Sequence, residues 1–482
     1  MNGYMKLPKG FSTIVPPYNY QKEAIAYGIV NERAGLLLDL GLGKTFCAIN
    51  IARWRIQQEQ VKKVLVVVPA TLLLNWYNEI KKYSEYEALI LHHSSRLERT
   101  AMIKAFVKDN KYHFGIINYE ALSRYSILQD MRFDTLISDE SARYLRTPHN
   151  KTTNCAIAIA NKIKYKLILT GTPIANRPLD IWSQFMILDG GKTFTDNYYK
   201  FRSWFFYPVD MGFNTRWILK PTHYGLLRKM IYSKCIRKTK AECLPDLPEQ
   251  IFKVIEIEPD TEFKKLYTSV RKQVESEIET EGGLAKLNIN NIFKRLTKLQ
   301  QVTGGAIIDD SGKANKLKNT PKLNALSECL DEIIDAGESA IVWCRFRKSL
   351  EIIERLLRKK DIAFTSMHGG HKNKYERWKG FQEDPTISVF LGQIESGGIG
   401  IELFKINSDK TMQHMIFYET TFFMDIKRQA IGRIHRLGQR SICRYIDLIV
   451  KGTIDEKILN IYLSNKQVAD AIIETGIGGF LS

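Results

Sequence analysis

Short, unbroken apolar runs alternate with amphipathic stretches in two separate parts of the chain. In the first part, residues 35–40, 64–68, 114–118, 135–138 and 166–170 read as buried strands, and residues 45–57 and 74–83 between them carry apolar positions at helical spacing. In the second, residues 340–344, 363–367, 388–391, 415–418 and 443–448 repeat the scheme. A strand with one wet face alternates apolar and polar residues, whereas a strand covered on both faces is apolar throughout. The pattern therefore predicts an α/β protein with two lobes, each a parallel sheet clothed by helices. From about residue 186 to 320 the pattern changes, first to an aromatic and basic stretch and then to a helical, charged one. Leu244-Pro245-Asp246-Leu247-Pro248 near its middle reads as a rigid connector and marks the lobe boundary. The expected organisation is a first lobe over 1–185, a helical insertion and connector over 186–245, a helical insertion of the second lobe over 246–320, and a second lobe with a C-terminal helical tail over 321–482. Residues 304–320, rich in Gly, Asn and Lys, read as a mobile surface loop.

Composition narrows the function classes. The 482 residues are 44% hydrophobic and 26% charged, which excludes a disordered chain, a collagen-like repeat and a disulfide-dense mini-protein. The longest largely apolar stretch, residues 64–74, contains Pro69 and falls short of the roughly 18–20 residues a bilayer requires, so no membrane span is expected. The first residues carry no apolar core of a signal peptide, so secretion is not expected. Lys and Arg total 71 against 52 Asp and Glu, a formal charge of +19. Such a surplus points to a polyanionic partner, most often nucleic acid, against the plainer alternative of a merely basic enzyme. The seven cysteines are scattered without a CxxC pair or a histidine at zinc spacing, and read as reduced thiols.

The chemistry sits at strand ends. Asp39-Leu40-Gly41-Leu42-Gly43-Lys44-Thr45 follows an apolar strand and opens a helix, the setting of a phosphate-binding loop. Gly41 and Gly43 allow the backbone amides to turn inward around phosphate oxygens, Lys44 brings a cation to the β- and γ-phosphates, and Thr45 offers a hydroxyl to Mg²⁺. The full pattern has a glycine where this chain has Leu38. Asp139 and Glu140 end another apolar strand. Asp139 is expected to hold Mg²⁺ through water and Glu140 to orient and deprotonate the attacking water; in isolation such a turn is more often a helix N-cap. In the second part, Arg433 and Arg436 stand three apart, on one face if the segment is helical, and suit a γ-phosphate finger because the guanidinium is planar and permanently charged.

In their order, these motifs resemble the SWI/SNF-type ATPases of helicase superfamily two, double-stranded DNA translocases with two RecA-like lobes. The resemblance covers about residues 15–460. Pro17-Tyr18-Asn19-Tyr20-Gln21 is similar to the family's adenine-reading segment, which implies nucleotide contacts from Tyr20 and Gln21. Residues 66–76, Ile117-Asn118-Tyr119-Glu120, 139–152 and Leu169-Thr170-Gly171-Thr172-Pro173 follow in the family's order. In the second part 341–347, Met367-His368-Gly369-Gly370, 393–403 and 428–439 recur likewise, the last implying a catalytic place for Gln429 beside Arg433 and Arg436. The resemblance further implies that Glu402 bonds the ribose, and that Pro69, Thr71, Asn118, Thr170, Arg345, His368, Gly369, Ser396 and Gly397 track DNA. The chain departs from the family at Ala142, where a histidine is usual, and at Glu395, whose charge is awkward beside a DNA track.

The expected activity is ATP- and Mg²⁺-dependent translocation along double-stranded or branched DNA in repair, recombination or fork remodelling. The alternatives are a strand-separating or branch-migrating helicase, and a nucleotide-gated DNA clamp without processive motion. The absence of recognisable appended domains fits a compact bacterial or phage motor, cytoplasmic and associated with the nucleoid. Two features stay open. Residues 228–240, with six Lys or Arg and no acid, read equally as a DNA contact or a solvated face. The aromatics around Trp204, Tyr207 and Trp217 read as core packing of the insertion or as a stacking platform.

Overall fold

The computed structural model describes residues 6–171, 178–210, 215–280, 289–308, 314–317, 320–371, 373–397, 403, 405, 412–436, 438–464 and 480. The chain forms two compact units, Met1–Val209 with Trp217–Pro245, and Asp246–Ser482 with Asp210–Arg216.

The first unit is built on strands β1 (Arg33–Leu38), β2 (Val64–Val68), β3 (Glu87–Ile90), β4 (Tyr112–Asn118), β5 (Thr135–Asp139) and β6 (Tyr165–Leu169). Strands β7 (Phe206–Asp210) and β8 (Thr215–Leu219) pair with each other, and β9 (Cys235–Lys238) returns to the main sheet. The seven-stranded order is β3-β4-β2-β5-β6-β1-β9, parallel throughout. One cluster packs Leu65, Val67, Ile117 and Leu136 under helices carrying Ile103, Phe106, Leu122 and Ile159. Another packs Leu37 and Ile168 against Phe185, Phe201 and Phe205. The cross-strand register puts both clusters on one face of the sheet, and Leu36, Val66, Ile137 and Leu167, which point to the other face, are buried too, which is why its central strands read as unbroken apolar runs. Burying each large apolar side chain contributes about 1.5–3 kcal/mol.

Two differences from the sequence reading lie at the margins of this sheet. The edge strand β3 lies outside every run read as a strand, although Ala88-Leu89-Ile90 is apolar. Strand β9 lies within the basic stretch, where a DNA contact or solvated face was expected; its backbone pairs with β1 while Arg237 and Lys238 keep outer faces. Gly35 permits this pairing, because a Cβ there would sit 2.3 Å from Cys235 Sγ.

The second unit carries β10 (Gln250–Ile257), the small antiparallel pair β11 (Ala306–Ile308) and β12 (Ala314–Lys316), then β13 (Ser339–Cys344), β14 (Phe364–Met367), β15 (Val389–Gln393), β16 (Met412–Phe417) and β17 (Ile442–Val450). Its parallel sheet has the order β10-β17-β16-β13-β15-β14. Strand β13 makes the two-sided burial explicit: Ala340, Val342 and Cys344 join one core, Ile341 and Trp343 the other. Residues 304–320, expected as a mobile loop, include β11, β12 and the packed Gly304, whose hypothetical Cβ would lie 1.8 Å from Glu419 Oε1. Helices Thr261–Thr280 and Ile289–Thr303 share a core with Val450, Ile454 and Ile458. They are therefore an integral part of this unit.

Candidate nucleotide and nucleic-acid sites

Strand β1 delivers the chain to the turn before helix Lys44–Gln57. Gly41 and Gly43 take left-handed backbone, φ +87° and +78°, which a side chain would strain. At Gly43 there is also no room, since a Cβ would stand 2.5 Å from Gln21 Nε2. Gln21, buried on helix Asn19–Val30, braces the loop: its Nε2 donates to Leu42 O at 3.3 Å and its Oε1 accepts from Tyr18 N at 3.0 Å. The Tyr18 and Tyr20 rings stack at 5.9 Å. Lys44 Nζ is buried and donates to Leu38 O at 2.9 Å, so a cation is held at the root of the loop. Thr45 is half-buried one residue on. Lys238 at the end of β9 pairs with Glu23, and just beyond it Lys240 N donates to Asp39 Oδ2 at 3.0 Å, which fixes the loop entrance to both neighbours.

In the sheet β6 lies between β1 and β5, so the phosphate loop and the acidic pair sit two strands apart at one edge. Asp139 is buried. Its Oδ2 accepts from Trp76 Nε1 at 2.8 Å and its Oδ1 from Glu140 N at 2.9 Å. Burial, then the neighbouring Glu140 charge, push its carboxyl up to about 6, against the Trp76 hydrogen bond and Lys44, which favour the carboxylate. Glu140 is half-buried and left-handed, φ +51°. It occupies the N-cap position of helix Ser141–Tyr144 without a side-chain cap bond, so capping is not what its carboxylate does. Ala142, where the resembling family has histidine, is buried, and its neighbour Ser141 donates to Gln184 Oε1 at 3.0 Å. Thr170 is buried at the end of β6, and a Cβ on Gly171 would lie 3.4 Å from Leu38 O, so this segment abuts the strand that feeds the phosphate loop.

Mg²⁺ favours an octahedral shell of oxygens, mostly water and phosphate, with one or two protein ligands. Among the described residues no group of three or more His, Cys, Asp or Glu is placed to hold a metal alone. Thr45 and Asp139 fit the sparser set. Each Asp139 oxygen keeps a lone pair beyond its one hydrogen bond, and a cation would relieve the cost of burying that charge.

Among the expected DNA contacts of the first unit, Thr71 is exposed. Pro69 is buried, and Asn118 is buried with both ends of its amide engaged, by Arg99 and Glu120. In the second unit Arg345 is committed internally: its guanidinium bonds Gln300 Oε1 and Glu395 Oε1 and lies 4.5 Å over the Phe422 ring. Glu395, read as awkward beside DNA, is thus the partner of Arg345. His368 is half-buried and Gly369 exposed on the turn after β14, where the His368 ring lies 3.8 Å from the His371 ring, tilted by 32°. Partial burial and Arg347 hold the His368 ring below its usual pKa. Ser396 and Gly397 end the short helix Ile394–Gly397, and Glu402 lies outside the described residues.

Gln429 is buried on helix Met424–Ile431. The helix stops at Gly432, so Arg433 and Arg436 lie on the following turn, and the shared helical face expected for them does not exist. The turn is held instead by Gln439, whose Nε2 donates to Gln413 Oε1 at 2.9 Å and Ile434 O at 3.1 Å, and by His435 Nε2, 3.0 Å from Pro248 O. Trp76 and Gln439 are the supporting residues that sequence reasoning missed. Their signal was only that each lies inside a family-like segment.

The chain matches the SNF2-related domain over residues 20–304 and the helicase conserved C-terminal domain over 321–438. An ATP-dependent helicase of Mycoplasma genitalium is 25% identical over 476 residues, 96% of this chain and 43% of that protein. A TATA-binding protein-associated factor of Arabidopsis thaliana is 25% identical over 526 residues, 94% of this chain and 25% of that protein. The chain therefore spans less than half the length of these relatives. The Sulfolobus solfataricus SWI2/SNF2 ATPase core in complex with double-stranded DNA superposes with a TM-score of 0.46 at 22% identity, covering 99% of this chain and 96% of that one. No helix among the described residues is long and apolar enough to cross a membrane. With a match to more than half its length, on a scaffold of two parallel sheets, the chain belongs to the SNF2-related family, the SWI/SNF-type ATPases of helicase superfamily two.

Proposed function

We propose that this chain hydrolyses ATP with Mg²⁺ and uses the cycle to move along double-stranded DNA, in a bacterial or phage-infected cytoplasm and in repair, recombination or fork handling. The observation that carries the reading is the constellation at one sheet edge: Gln21 braced on a loop of Gly41 and Gly43, Lys44 at its root, and Asp139 and Glu140 two strands away. Tyr20 and Gln21 receive the base, and Gly41 to Thr45 the phosphates. When bound, Mg²⁺ neutralises charge on the phosphates. Glu140 takes the proton of the attacking water, and Asp139 keeps its charge for the cation's water shell. Gln429, Arg433 and Arg436 are the proposed groups for the γ-phosphate, with Glu402 on the ribose.

The charge of +19 supports a polyanionic track. Thr71, His368, Gly369, Ser396 and Gly397 are the proposed contacts, with backbone at Pro69, Asn118 and Thr170. The committed side chain of Arg345 suits a role in shaping that surface better than a phosphate contact. The test is steady-state ATPase in a salt-controlled series with no nucleic acid, blunt duplex DNA, single-stranded DNA and RNA. Strong stimulation by blunt duplex is expected. Negligible turnover with every nucleic acid would favour the clamp, and preference for RNA would overturn the reading.

A further inference from the structure

Helix Tyr198–Phe205, the β7–β8 hairpin and helix Tyr224–Tyr232 form a surface that neither the nucleotide site nor the proposed duplex contacts use. Core packing and an exposed platform were both open for its aromatics, and the structure divides them. Phe201, Phe205 and Phe206 are buried in the core, and Trp217 is covered by the Arg202 guanidinium at 3.9 Å. Tyr199, Trp204, Tyr207 and Tyr224 instead expose 58%, 43%, 41% and 60% of their surface.

Contacts bring Tyr199, Trp204 and Tyr224 onto adjoining helices, and Tyr207 follows Trp204 by three residues on β7. Tyr199, Lys200, Ser203 and Trp204 line the side of their helix opposite the buried Phe201 and Phe205. Lys220 Nζ donates to Ser203 O at 2.8 Å and Trp204 O at 2.9 Å, and the Phe205 ring meets His223 at 5.9 Å. Those contacts bring the start of the second helix, with Tyr224, against the Trp204 end of the first. Between residues 198 and 234 there are seven Lys or Arg and one acid, Asp210.

Four outward aromatics among cations are an unusual exposure for a globular surface. Their chemistry matches unpaired nucleobases, which stack on ring faces while phosphates meet the cations. An intact duplex keeps its base faces stacked on each other and offers such rings little. We propose that this surface is a platform for an unpaired DNA strand, so that the preferred substrate carries a single-stranded segment beside duplex, as a fork or flap does. The proposal rests on the reading that the chain acts on DNA.

The test uses the full chain and a Trp204→Ala/Tyr207→Ala variant, with fluorescence anisotropy on blunt duplex, the same duplex with an oligo-dT tail, and oligo-dT alone. ATPase with blunt duplex is measured on the same samples. The native protein is expected to bind the tailed duplex more tightly than the blunt one. The variant should lose about tenfold on the tailed duplex and oligo-dT, keep its blunt-duplex affinity and ATPase, and recover when the two positions are Phe. Equal affinity of the native protein for tailed and blunt duplex, or an equal loss on both in the variant, would overturn the platform. Loss of duplex-stimulated ATPase in the native protein would instead overturn the function on which it rests.

Discussion

Environment divides the work of the two adjacent carboxylates. Asp139 is buried with both oxygens hydrogen-bonded, whereas Glu140 is half-buried, left-handed and makes no cap bond. Holding a non-glycine residue at φ +51° costs about 1–2 kcal/mol, a strain that recurs at catalytic turns. Glu140→Gln should therefore lower turnover at least about a hundredfold while retaining ATP binding, and Lys44→Ala should lose binding as well. Steady-state ATPase with fluorescent-nucleotide titration separates the two; near-normal turnover in Glu140→Gln would remove it as the base. Asp139 adds a pH dependence. Its folded pKa, about 6, lies above the ordinary carboxyl value, so ionisation costs the fold. That cost is absent at low pH, grows as pH rises toward 6 and is constant above it. Activity runs the other way, since the carboxylate is the useful form: kcat/KM should fall as pH drops through about 6. Trp76→Phe removes the hydrogen bond that favours the carboxylate, so the acid limb should shift upward with little change at pH 8. An unshifted pH–rate profile would show that Trp76 does not tune Asp139.

Elements connect these residues, and Gly304 shows how closely. It ends helix Ile289–Thr303, its carbonyl accepts from Tyr418 OH at 3.1 Å, and it lies against Glu419. Glu419 in turn accepts from Arg345 N, Phe346 N and Ser349 Oγ, while Gln300 of the same helix donates to Thr420 O at 3.1 Å. The helix between residues 289 and 303 is thus bonded to the segment that follows β16. Gly304→Ala forces a methyl group into Glu419 and should destabilise the second unit by about 1–3 kcal/mol. Chemical denaturation checks this, and an unchanged midpoint would mean the Glu419 side chain gives way freely. The interior strands were legible because burial on two faces demands unbroken apolar runs, as in Val64–Val68. The edge strands β3, β9 and β10 were not, since one long side and part of each face stay wet; Gln250–Ile257 mixes exposed Lys253 and Phe252 with half-buried neighbours.

At the scale of the molecule, charge favours a polyanionic partner. If the chain tracks duplex DNA as proposed, its charge of +19 implies that duplex affinity falls at least about a hundredfold between 50 and 200 mM salt, by release of condensed counterions. Anisotropy titrations at several salt concentrations measure the slope, and a flat response would argue against a backbone-tracking mode.

The chain's own order of residues determined the class of fold, the glycine loop before helix Lys44–Gln57, the acidic pair and the family, because each depends on local spacing: a strand, a glycine turn, a helix start. Tertiary packing alone decided which of those groups remain available. It set Gln21 against Gly43 and Trp76 on Asp139, ended the helix before Arg433, and turned Arg345 inward to Glu395. It also left Trp204 outside while burying Phe205 beside it. Partners brought together from 19 to 63 positions apart in sequence, as Asn118 with Arg99 and Asp139 with Trp76, leave no periodic trace. Only the folded arrangement of the strands brings them within reach.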